Sequence, residues 1–187
     1  MTASANPSPR VLTKRESRLI READAFAAAR HAGQVRAGDG APFIEHPREV
    51  ARSVAKRRAR GALIAACLLH DVVEKTETSL AEVASAFGPE IARLVASVTE
   101  DPTIGDYGER KADLRRRVAA GGREPAMLLA ADRVSKLPEL GPDTPPERLE
   151  HERQCLAVLK QLIPRDPLIE QLRAGLASAQ PPAAAES

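Results

Sequence analysis

The chain has 187 residues, 43% hydrophobic and 29% charged, with 28 basic against 26 acidic residues and a formal net charge of +2. Such a length suits one domain with a sizeable core. So even a charge balance gives no general field for nucleic acid, and no stretch has leader-like or membrane-spanning apolar length, so the expectation is a soluble, cytoplasmic protein with neither partner.

Strand signals are sparse, whereas Ala, Leu, Arg and Glu recur at helical spacing from residue 14 onward. The pattern predicts an all-α single-domain bundle of about eight to nine helices over residues 13–178, with segments 1–12 and 179–187 as disordered tails. In chain order the helices fall near 14–32, 47–59, 61–75, 79–87, 89–100, 106–121, 124–136, 146–163 and 166–178. Ser79 and Glu82 have capping-box spacing, Pro89 follows Gly88 at a break, and Pro146 opens a late helix. Residues 33–45 form a Gly-rich loop carrying Arg36 and Asp39, longer than a plain connector. Cys67 and Cys155 sit in apolar helical contexts without paired spacing, which predicts reduced core thiols.

The apolar run Leu63 to Leu69 ends in His70-Asp71. Placing an ionised carboxylate in a core segment costs several kcal/mol or more unless a cation or hydrogen bonds compensate. A divalent metal is the simplest compensating partner, so the dipeptide reads as half of a metal site. If residues 61–76 form one helix, Glu74 stacks with His70 and Asp71 on one face, and Lys75, four residues after Asp71, leans the same way. Asp132 repeats the oddity, closing the apolar run Met127 to Ala131, and Pro47 places His46 at the N-terminal edge of a helix. Taken alone His46 reads as structural or exposed. Together the two His and two Asp make a mixed nitrogen and oxygen shell.

The order His46, His70-Asp71, Asp132 resembles the signature of the HD-domain metal-dependent phosphohydrolases. More closely, residues 25–172 resemble the (p)ppGpp hydrolase domain of RelA/SpoT-type proteins and their small stand-alone versions. The matching blocks run in order: His31-Ala-Gly-Gln-Val-Arg36, Pro42-Phe-Ile-Glu-His46-Pro47, Ala66-Cys-Leu-Leu-His70-Asp71-Val-Val-Glu74, Thr78 to Val83, Phe87-Gly-Pro-Glu-Ile91 and Ala131-Asp132-Arg133. The resemblance implies an HD fold holding one divalent ion, usually Mn2+, on His46, His70, Asp71 and Asp132. It implies hydrolysis of a phosphorylated nucleotide to a nucleoside diphosphate and pyrophosphate from the 3′ position. His31 is not among the ligands and is expected to pack or to support them.

In the family an acidic pair just after the His-Asp dipeptide handles the attacking water. Glu74 takes the first place, whereas Lys75 stands at the second, where its ammonium is expected to hold Glu74 ionised and weaken it as a base, or to grip a phosphate. Other departures are Ala37 after Arg36, Leu129 for a Lys, Lys136 for an Asn, and His151 where Tyr is common. Arg36, Arg110, Lys111, Lys136 and His151 are the expected substrate contacts. With 2% aromatic residues only Phe43 and Tyr107 are available for stacking near the site, which argues against a tight purine sandwich and leaves core or loop packing as their commoner use. The principal reading is therefore a metal-dependent phosphohydrolase of a (p)ppGpp-like nucleotide. The alternative is a metal-containing nucleotide-binding or regulatory module with weak or no hydrolysis, motivated by Lys75, and a homodimer is left open. The runs Lys56-Arg57-Arg58 and Arg115-Arg116-Arg117 point several ways around their helices, so a nucleic-acid binder ranks below both.

Overall fold

A computed structural model describes residues 10–179. Among them are ten α-helical segments: α1 (Lys14–Arg30), α2 (Glu45–Ala55), α3 (Gly61–Leu69), α4 (Val72–Lys75), α5 (Leu80–Phe87), α6 (Pro89–Val98), α7 (Tyr107–Gly121), α8 (Arg123–Ser135), α9 (Pro146–Leu162) and α10 (Pro167–Ser178). One 3-10 turn, Leu137–Glu139, follows α8. Extended pairing among these residues is confined to an isolated antiparallel bridge between Val35 and Pro42. The all-helical expectation therefore holds, and α3 with α4 together cover the segment expected as one helix over 61–75.

Helix boundaries follow local chemistry. Thr13 caps α1 and Ser79 caps α5, each in a capping box completed by Glu16 or Glu82. Gly88 and Gly122 hold φ of 90° and 77° at the α5–α6 and α7–α8 junctions, a left-handed backbone that favours glycine. The second helix starts at Glu45 rather than at Pro47, so His46 lies within its first turn.

Helices α3 and α8 occupy the centre. Every residue of α3 except Ala62 is buried, as is the whole stretch Pro125 to Asp132 of α8. Helices apolar all round belong in an interior, and α3 packs on α1, α2, α6 and α8, while α8 also meets α2, α7, α9 and α10. The result is that both central helices carry their C-terminal ends, with His70, Asp71 and Asp132, into the interior of the bundle. Cys67 and Cys155 are free and buried, and burial pushes the Cys155 thiol up to about 12.

Residues 1–9 and 180–187 of the two expected tails lie outside the described residues. Where those segments are described they belong to the fold: Arg10 donates to Glu16 (2.8 Å) and to the Ala59 carbonyl (3.3 Å), Leu12 packs on the core, and Ala179 is buried. Apolar contact thus extends the packed chain beyond residues 13–178. Glu16 also accepts from Gly61 N–H at 2.9 Å, and these bonds hold its carboxyl down to about 2. A Cβ at Gly61 would sit 2.7 Å from the Glu16 Cβ. Gly61→Ala is accordingly expected to destabilise the protein by roughly 1–3 kcal/mol through overpacking, measured by urea unfolding. An unchanged midpoint would mean that α1 and α3 are not in such close contact.

Candidate metal centre and its two cavities

The site begins with a conflict at the end of α3. In an unbroken helix Asp71 N–H would bond the Cys67 carbonyl, but the His70 Nδ1–H donates to that oxygen at 2.7 Å. The helical ladder is interrupted at His70 and Asp71 and resumes at Val72. With Nδ1 protonated, a neutral His70 presents the bare lone pair of Nε2 to the interior.

His46 arrives from α2 and Asp132 from α8. His46 Nε2 lies 3.3 Å from His70 Nε2, 3.1 Å from Asp132 Oδ1 and 3.5 Å from Asp71 Oδ2. His70 Nε2 lies 3.4 Å from Asp71 Oδ2 and 3.5 Å from Asp132 Oδ1. All four residues are buried. His46, His70 and Asp132 each offer one ligand atom within 4.8 Å of the others, a set able to hold a metal ion. Asp71 Oδ2 approaches both imidazoles without joining that mutual set.

The donors fit an ion. Asp71 Oδ2 has no hydrogen-bond partner, and Asp132 Oδ1 is met by Lys136 Nζ at 2.8 Å without hydrogen-bond geometry. Burial alone would push both carboxyls up. For Asp132 the Arg133 and Lys136 cations overcome it, and for Asp71 His70 and Lys136 do, so both are held ionised below the usual carboxylate range. Burial likewise pushes His70 down, but Asp71 and Asp132 outweigh it and raise it. Electron-rich atoms thus crowd one point and call for positive charge there. Separations of 3.1–3.5 Å also suit the edges of a coordination shell, about 3 Å for bonds near 2.1 Å.

Two cavities flank this cluster. The larger, about 1160 Å³, is bounded by the 34–39 loop, Phe43, His46, Glu49, Lys75 and Ser135. The smaller, about 300 Å³, exposes His70, Asp71, Asp132, Glu74, Tyr107 and His151. Lys136, Glu139 and Arg148 line both. Residues 23–167 match the model of the HD domain.

The chain belongs to the HD-domain family. This HD-domain protein is 35% identical over 142 residues to the guanosine-3′,5′-bis(diphosphate) 3′-pyrophosphohydrolase MESH1 of Mus musculus, covering 74% of this chain and 79% of the relative. It is 32% identical over 153 residues to the GTP pyrophosphokinase rsh of Brucella ovis, covering 79% of this chain but 20% of that longer protein. Its fold matches a solved metazoan ortholog of SpoT that hydrolyzes ppGpp, with a TM-score of 0.73 at 24% identity over 95% of this chain and 97% of that one. That last likeness is one of fold.

The remaining expected site residues of this HD-domain protein divide. Glu74 faces the small cavity with His70 and Asp71, and its Oε2 accepts from Glu100 N–H at 3.2 Å. Lys75 does not lean toward it: broken from the α3 register, its Nζ sits 5.4 Å from the Phe43 ring centroid in the larger cavity. The two make no ion pair within 4 Å, so the expected pairing of Lys75 with Glu74 is absent. Lys136 lies one turn past Asp132 and reaches the site as expected. The phosphate collar is only partial. Arg36 is held by Asp39 and Glu49, while Arg110 bonds Glu100 and the Ile104 carbonyl and lines neither cavity. Lys111 lines the small cavity but pairs with Glu100. Phe43 and Tyr107 fall one in each cavity. Leu129 is core. His31 is buried, its Nδ1 bonded to Gln34 at 2.8 Å.

Sequence reasoning missed five residues, Glu49 on the wall of the larger cavity among them. Arg133 bridges Asp132 Oδ2 (3.0 Å) to Glu152 Oε1 (3.2 Å), and Glu152 is itself buried. Arg148 lines both cavities and bonds Glu139, while Ser135 lies against His46. Adjacency to Asp132 and His151 was the available signal for Arg133 and Glu152.

His151 accepts from Arg115 Nη1 at 2.7 Å through Nδ1. Burial, then Arg133, Lys111 and Arg115, pull its pKa down to about 3. The unfolded chain therefore takes up a proton below about 6.5 that the folded chain refuses until about pH 3. Stability falls as pH drops through that window, by up to roughly 2 kcal/mol between pH 6.5 and 5 from this residue. His151→Gln keeps an acceptor for Arg115 and should flatten the pH dependence of urea unfolding. Parallel wild-type and variant curves would contradict a neutral buried His151.

Proposed function

We propose that the protein is a metal-dependent phosphohydrolase that removes pyrophosphate from the 3′ position of ppGpp or a closely similar nucleotide, with His46, His70, Asp71 and Asp132 holding Mn2+. The observation that carries this reading is the convergence of those four donors, two of them ionised carboxylates, between two cavities. The curated names of its relatives supply the substrate class. Bound there, a divalent ion neutralises charge on phosphoryl oxygens and lowers the pKa of a bound water.

This chain's own residues supply the rest. Glu74, anchored through Oε2 by the Glu100 amide, leaves Oε1 to orient and deprotonate water in the small cavity. Lys136 and Arg148, on the walls of both cavities, offer cations to phosphate passing between them, with Arg36, Arg110, Lys111 and His151 in outer or supporting places. The larger cavity accommodates the nucleoside, with Phe43 as its aromatic wall. Lys75, on that same side, is placed to meet a phosphate rather than to tune Glu74. The buried free thiols are consistent with a reducing, cytoplasmic setting.

The decisive experiment offers ppGpp to the Mn2+-loaded protein beside a His70→Ala/Asp71→Ala control and separates the products. GDP and pyrophosphate in equal amounts, absent from the control, are expected. Tight ppGpp binding with no turnover above the control would replace this reading with that of a regulatory module.

A further inference from the structure

His46 differs from His70 in what holds its second ring nitrogen. His70 Nδ1 is fixed by a backbone carbonyl, whereas His46 Nδ1 lies 3.1 Å from the Ser135 hydroxyl, and that hydroxyl donates to Glu49 Oε2 at 3.0 Å. The spacing explains why these groups meet. Glu49 stands one helical turn after His46 on α2, and Ser135 one turn after Asp132 on α8, so each ligand-bearing helix contributes one member where the two helices pack. Glu49 is in turn gripped through Oε1 by Arg36 Nη1 at 3.0 Å, and Arg36 Nε by Asp39 Oδ1 at 3.0 Å. The chain of bonds therefore runs from the 33–42 loop to the candidate metal ligand.

We propose that Glu49 and Ser135 are positioning residues for the ion, acting through His46: Glu49 commits the Ser135 proton, and the serine oxygen then accepts only from His46 Nδ1–H, which keeps Nε2 free to ligate. This rests on the metal reading above. A hydroxyl is both donor and acceptor. Without Glu49 the Ser135 proton turns to Nδ1 and favours the tautomer whose Nε2 carries hydrogen and cannot bind a cation. Partners of this kind typically change metal affinity by about 10–100-fold when removed. Arg36 thereby acquires a role other than the phosphate contact expected from its position, because both faces of its guanidinium fork are occupied by carboxylates.

The test is Mn2+ titration of the metal-free full-length protein, followed calorimetrically, for wild type, Ser135→Ala, Ser135→Thr, Glu49→Ala and Glu49→Gln, with His46→Ala as the control lacking the ligand. Ser135→Ala and Glu49→Ala should bind Mn2+ about 10–100-fold more weakly than wild type. Ser135→Thr, which keeps the hydroxyl, and Glu49→Gln, which keeps an acceptor, should stay within a few-fold. Metal-free unfolding midpoints of all four should remain near wild type, which a merely structural role would not allow. Ser135→Ala binding Mn2+ as tightly as wild type overturns the inference while leaving the metal site standing. A wild type that takes up no Mn2+ overturns both.

Discussion

Asp132→Ala is expected to remove ion binding and also to destabilise the metal-free protein by about 3 kcal/mol, the low end of what breaking a buried ion pair costs. Two cations lean on this carboxylate: Arg133 through Oδ2 and Lys136 Nζ, 2.8 Å from Oδ1. Arg133 keeps only Glu152 as an acidic partner after the substitution, and its side chain is 12% exposed. Lys136, at 23% exposure, can swing toward water, which places the effect at the low end. Urea unfolding in the presence of a chelator isolates this term from the ion. A chelated Asp132→Ala protein as stable as wild type would mean that the carboxylate serves the ion alone and that Arg133 is satisfied without it.

The second large effect belongs to Glu74. Its exchange for Gln preserves shape and the acceptor for the Glu100 amide but removes the negative charge and the basic oxygen. On the proposed chemistry, kcat for ppGpp hydrolysis falls by about 10²–10⁴-fold, the usual contribution of a positioned general base. Mn2+ affinity should stay within a few-fold, because Glu74 is outside the donor set. A Glu74→Gln enzyme with wild-type kcat would assign water activation to another group in the small cavity. Lys75→Asp provides the companion measurement: with Lys75 directed at Phe43 rather than at Glu74, it should act on KM more than on kcat.

The candidate ligands His70, Asp71 and Asp132 were legible because burying charge is costly, and the sequence shows where it happens. Two apolar runs each end in an aspartate, and both runs become the buried stretches of the two central helices. The capping-box spacing of Ser79 and Glu82 likewise announced α5, whereas the equivalent box of Thr13 and Glu16 at α1 went unread. What could not be read was side-chain direction across helix junctions. The expectation for Lys75 assumed an unbroken helix over 61–76, and His70 defeats it by taking the Cys67 carbonyl from the backbone. The basic collar is partial for a different reason: Arg36, Arg110 and Lys111 find carboxylates brought near by tertiary packing, Glu49 and Glu100 among them, and no spacing rule encodes those meetings. Arg57, Arg115 and Arg117 also spend their donors internally, on Asp166, His151 and Asp113.

The most direct test of the central claim is anomalous diffraction at the manganese edge from a crystal of the wild-type protein grown with Mn2+. A single strong peak bonded to His46 Nε2, His70 Nε2 and carboxylate oxygens of Asp71 and Asp132, at about 2.0–2.3 Å, is the predicted result. A map with no peak among those four side chains, or with the ion held elsewhere, would contradict it.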